Sequence, residues 1–165
     1  MTFYLVSLIF HIFAAMFWVG GMLFYVLVLI VIIRDPEFKN VKLKLLEKTA
    51  LQFRRVSYFT FSLLFLSGVG ALSSKGKILF SNNILETLLS IPILFKLKIG
   101  LFLLLLLSSI YHDFFSGPAA FVHAENNPVL FEKFRKRSAF FGRLNLAISI
   151  SIAVLGILGS RGFGN

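Results

Sequence analysis

Reading from the N-terminus, the first residue with a permanent side-chain charge is Arg34; everything before it is apolar, small or uncharged. About thirty such residues exceed the roughly 20 that a helix needs to cross hydrocarbon. A helix that is apolar all round belongs in lipid or deep inside a large protein. Three further apolar runs follow. Spans are expected at residues 3–33, 56–72, 91–111 and 144–158, the third carrying the unbroken run Leu103–Leu107. The first lacks a basic leader and a small-residue cleavage site, so it is not read as a cleaved signal peptide. The expected fold class is all-α: an integral membrane four-helix up-down bundle with basic cytoplasmic helical extensions, forming one domain over residues 1–165.

Composition supports this reading. Hydrophobic residues make up 58% of the chain and the mean hydropathy is +0.88, more than a soluble fold can cover with polar surface. The net charge of +10 points to anionic lipid headgroups as the partner and not to nucleic acid, because the cations border apolar runs. No cysteine is present, which excludes disulfides, thiolate metal sites and covalent c-type haem attachment.

Charge also orients the bundle. The first connection holds Arg34, Lys39, Lys42, Lys44, Lys48, Arg54 and Arg55, and the third holds Lys133, Arg135, Lys136, Arg137 and Arg143. Against these twelve, the second connection has Lys75 and Lys77 and the tail has Arg161. The expected location is the inner (plasma) membrane, with the first and third connections in the cytoplasm and both termini outside. The basic connections read as helices. Val41, Leu45, Thr49 and Phe53 recur at helical spacing, and Asn127-Pro128 reads as an N-cap followed by proline at the first helical position. Such helices serve either to dock a partner or substrate, or to lie against lipid through their cations. Ser116-Gly117-Pro118 reads as a turn after the third span.

Ionisable residues at membrane depth are costly and therefore candidates for function. His11 lies about eight residues inside the outer end of the first span, and Lys98 about seven inside the outer end of the third, so the two are expected to face each other. Lys96, two positions from Lys98, points elsewhere and is expected to snorkel toward the outer headgroups. His112 is roughly 21 Å along the helix from Lys98, too far for His11 and His112 to clamp one haem, which needs imidazoles about 4 Å apart across the iron. His11 is then either a single ligand to haem or metal, or a neutral imidazole bonded to a neighbouring helix. His112, Asp113, His123 and Glu125 gather at one rim and form a weaker candidate metal site. Met22 and Trp18 fall near the His11 face, where a thioether would suit Cu(I) or simply fill the core. Gly20, Gly21, Gly68, Gly70, Gly100 and Gly156 permit close approach of a neighbouring helix or a flat cofactor.

The segment from Phe10 to Gly21, FHIFAAMFWVGG, resembles the opening helix of the copper resistance D (CopD) domain family, with a histidine seven residues before W-x-G-G. Phe53-Arg54-Arg55-Val56-Ser57 leading to Leu66-Ser67-Gly68 looks like that family's second helix, and Lys98 with Tyr111 thirteen residues later like its third. The resemblance covers roughly residues 5 to 112. The same histidine–tryptophan spacing and third-helix lysine occur in the related HemJ-type protoporphyrinogen oxidases, where the first-helix histidine and the third-helix lysine are implicated in haem binding and activity. The resemblance implies cofactor-binding roles for His11 and Lys98, with haem b or copper as the cofactor; Trp18, in the W-x-G-G element, is a further cofactor-binding candidate.

Three functions remain in view. The chain is a CopD-like protein holding a redox centre through His11, or a HemJ-like oxidase. Otherwise it is a non-catalytic helical subunit, homo-oligomeric or part of a larger membrane complex.

Overall fold

The computed structural model describes residues 1–74 and 84–163, all-helical among those residues apart from short connections. Helix α1 (Thr2–Phe24) continues through a π-helical turn, Tyr25–Leu29, into α2 (Ile30–Ile32), and together they make the first span. Helix α3 (Lys42–Ser74) is the second. A short helix, α4 (Ile84–Ser90), precedes α5 (Ile93–Tyr111), which runs through a second π-helical turn, His112–Ser116, into α6 (Gly117–Val122) to complete the third. Helix α7 (Pro128–Ser160) is the fourth. All four are long and apolar enough to cross a membrane.

The second and fourth helices begin well before the apolar runs they contain. Residues 42–55 and 128–143 are the opening turns of α3 and α7, so the basic extensions are rigid continuations of the spans. The Asn127 side chain accepts the Leu130 N–H at 3.0 Å, and Pro128 sits in the first turn, where its missing N–H costs nothing. One expectation is corrected. Ser116-Gly117-Pro118 is not the turn; the chain stays helical to Val122 and reverses over residues 123–127. The π-helical turn explains this, because its wider loop gives the proline ring room and Pro118 then falls in the first turn of α6. Lys75 and Lys77, used above for orientation, lie outside the described residues.

Side-chain contacts set the register. Between the first and second spans, Ser7 meets Gly70, His11 meets Gly68, and Gly21 meets Phe53. Between the third and fourth, Phe95 meets Gly159, Lys98 meets Gly156, and Asn145 bonds Ser109. Rising numbers on one helix meet falling numbers on the other, which is the antiparallel pairing of an up-down bundle. At five of these contacts a glycine lets the backbones close in.

The interior is as much hydroxyl as hydrocarbon. Trp18, Met22, Phe61, Leu105 and Ile148 form an apolar cluster, but Ser57, Thr60, Ser67, Ser108, Ser109 and Ser149 are just as buried. Small side chains suit helix interfaces in lipid, where no hydrophobic force distinguishes inside from outside. Several return their protons to their own helix, as Ser57 does to the Phe53 carbonyl (2.6 Å) and Thr60 to that of Val56 (2.8 Å). The large apolar residues, among them Phe13, Phe17, Phe59, Phe65 and Phe140, project outward.

Candidate functional site

Three spans meet at the His11 ring, and the fourth comes up against the lysine beside it. Its Nδ1 lies 3.0 Å from the Leu64 carbonyl and 3.0 Å from Ser67 Oγ, both on α3. Its Nε2 lies 3.3 Å from Lys98 Nζ on α5. A carbonyl only accepts, so Nδ1 carries the ring proton and donates it, and Nε2 keeps a lone pair that accepts from the lysine. Ser67 Oγ is free to share the Nδ1 proton because its own hydrogen goes to the Leu63 carbonyl. Gly68 lies beneath the ring, where a Cβ would come within 3.2 Å of Cε1. From the fourth span, Gly156 faces the amine, where a Cβ would come within 3.2 Å of Lys98 Nζ.

The arrangement follows from depth. His11 and Lys98 sit on parallel spans at matching heights, and the antiparallel second and fourth spans bring Gly68 and Gly156 to that level. The chemical result is a neutral imidazole of fixed tautomer with its basic nitrogen held against a long, adjustable amine. Lys96 turns away and donates to the Leu89 carbonyl of α4 at 3.2 Å, at an exposed position.

The other candidates are elsewhere. Trp18 is two turns from His11, roughly 10 Å along the helix. It is engaged in packing: Nε1 donates to Ser149 Oγ at 2.9 Å, and its ring lies against Phe53 and Phe61. Met22 is buried in that same cluster, while Met16 is exposed, so neither thioether reaches the imidazole. His112 bonds Asp113 at 2.8 Å, and His123 stacks on Phe134. Among the described residues no group of three or more His, Cys, Asp or Glu converges as a metal site.

Sequence reasoning did not pick out Ser67 or the Leu64 carbonyl as partners of His11. Gly68 and Gly70 read as points of close approach for a helix or a flat cofactor, and Ser67 enters through the resemblance alone; its position at the depth of His11 is the clue that would have found the serine.

A protein of Aquifex aeolicus (strain VF5), described only as an uncharacterized protein, is 30% identical to this chain over 151 residues, which cover 89% of this chain and 88% of that one. No protein-family model matches the chain, and no solved structure matches it.

Proposed function

This chain belongs to the family of the Aquifex aeolicus protein, and we propose that it holds a redox centre, a b-type haem, through His11 in the outer half of the inner membrane. The observation that carries the proposal is the Nδ1 bond to the Leu64 carbonyl. A ligating histidine characteristically gives its other ring N–H to a carbonyl or carboxylate, which fixes the tautomer and raises the basicity of the ligating nitrogen. The donor set fits haem iron, for which one oriented imidazole is enough. Copper is less well served, because the thioethers are remote and no second imidazole is near. Haem would supply one-electron chemistry at membrane depth. The chain's own residues would hold the group by orienting the imidazole (Leu64, Ser67), making room for that ring (Gly68), and presenting an amine that would suit a propionate (Lys98).

Protein purified from haem-replete cells is expected to show a Soret band that is lost in His11→Ala and retained in His112→Ala. A colourless wild-type preparation, or a band that survives His11→Ala, overturns the reading.

A second reading, a HemJ-like oxidase of protoporphyrinogen, draws support from the Lys98–His11 contact, which places a base and a cation together where an apolar tetrapyrrole with carboxylate arms would partition. It predicts rescue of a strain lacking protoporphyrinogen oxidase. Failure to rescue despite good expression rules it out.

A further inference from the structure

A cavity of about 540 Å³ opens at the basic end of the bundle, between the first turns of α3 and the π-helical turn with α6. Its volume is in the range of ligand pockets, and it is separate from the His11 site. The polar lining has both signs. Lys44 and Arg54 supply cations, while Glu47, Asp113 and Glu125 supply carboxylates. Arg54 is held in place, its Nη1 donating to the Asp113 carbonyl at 3.0 Å and its guanidinium lying 4.9 Å from the centre of the Phe114 ring. Lys44, Glu47 and Glu125 are exposed, and no ion pair among the described residues engages them.

These charges decide what fits. A purely anionic headgroup would meet three carboxylates, and a purely cationic ligand would meet the lysine and arginine. The acidic groups do not converge into a metal cluster among the described residues. A ligand carrying both a phosphate and an ammonium satisfies both sets. The ammonium must bring N–H donors, since carboxylates bind it by charge-assisted hydrogen bonds. A quaternary ammonium prefers a cage of Trp, Tyr or Phe rings, and among the described residues Phe121 is the single ring of that kind in this lining. The apolar part of the wall includes Leu51 and Val122, both exposed, and α6 leads back to the exposed Phe114 and Phe115. That gives acyl chains a path from the cavity onto the lipid-facing surface of the third span.

We propose that this cavity binds the headgroup of a phosphatidylethanolamine-type phospholipid. Its phosphate lies toward Arg54 and Lys44, its primary ammonium toward Glu47 and Glu125, and its chains run along the third span.

The test titrates delipidated protein in neutral detergent with phosphatidylethanolamine, phosphatidylcholine and phosphatidylglycerol of identical chains, reading bound lipid by native mass spectrometry. Phosphatidylethanolamine is expected to bind about tenfold more tightly than either of the others, the scale of one well-placed charged contact. Glu47→Gln/Glu125→Gln, at two exposed positions that leave the fold intact, is expected to abolish that preference without weakening phosphatidylglycerol. Lys44→Gln is expected to weaken all three phospholipids. Equal affinity for all three lipids, or a preference unchanged in the double variant, overturns the proposal. So does equally tight binding of glycerophosphoethanolamine, which has the headgroup but no chains.

Discussion

At Gly68 a new Cβ would stand 3.2 Å from His11 Cε1, and at Gly156 one would stand 3.2 Å from Lys98 Nζ. The two distances are equal, but the neighbours differ in how readily they yield. The imidazole is a flat ring pinned at Nδ1 by two partners on the same helix that carries Gly68, so it cannot retreat without stretching those bonds. The amine ends a flexible four-carbon stem and moves aside at little cost. Gly68→Ala is therefore expected to destabilise by about 1–3 kcal/mol of overpacking. Gly156→Ala is expected to be neutral, or stabilising by up to about 1 kcal/mol through helix propensity. Unfolding in mixed micelles measures both, and equal costs at the two positions would contradict a pinned ring. This site was partly legible in the sequence. The His11–Lys98 pairing follows from helical rise and the positions of the span ends, which are simple to count. Its partner on the second span did not, because a helical carbonyl that accepts an extra proton leaves no mark on residue identity, and Leu64 looks like any lipid-facing leucine.

A polar row ties three spans together below that level. Trp18 Nε1 donates to Ser149 Oγ, Ser149 Oγ donates to the Asn145 carbonyl at 2.7 Å, and Asn145 Nδ2 donates to Ser109 Oγ at 3.1 Å. Element by element, the row connects α1 to α7 and α7 to α5 inside the apolar cluster. Ser149→Ala removes the acceptor and leaves a buried indole N–H without a partner, which costs about 1–3 kcal/mol. Ser151, on the same helix, makes the same kind of bond to its own backbone (3.0 Å to the Ala147 carbonyl) but is exposed. Ser151→Ala is expected to change stability by less than about 0.5 kcal/mol. Comparable losses at the two serines would mean that the Trp18 bond contributes nothing. The same row shows what Trp18, a cofactor-site candidate in the sequence, contacts: its indole N–H bonds Ser149 and its ring packs on Phe53 and Phe61. Its W-x-G-G setting says that helices come close there but does not say which neighbour receives the indole proton, since that acceptor is 131 positions away. The helical extensions, by contrast, were readable because their periodicity and the Asn127-Pro128 cap are local signals. The turn placed at Ser116–Pro118 failed because proline marks a boundary in a regular helix, and a π-helical turn removes the clash that makes it one.

For the molecule as a whole, the property with most consequence for function is which way it faces. Seven cations in the first connection and five in the third lie at one end of the bundle, and short basic connections stay on the cytoplasmic side. That orientation would put the His11–Lys98 pair in the outer half of the membrane, where a partner of the proposed redox centre would approach from outside, and would turn the cavity toward the inner leaflet. The chain contains no cysteine, and a single introduced thiol therefore reports on one position alone. Asn126 lies in the reversal after α6 and Phe163 follows α7; both are exposed. In intact spheroplasts a membrane-impermeant maleimide is expected to label Phe163→Cys at once and Asn126→Cys only after lysis. Neutralising Lys133, Arg135, Lys136 and Arg137 together should leave this pattern unchanged, because the seven cations of the first connection still hold the opening hairpin in place. Labelling of Asn126→Cys before lysis would invert the bundle, putting His11 in the inner half and any redox partner in the cytoplasm.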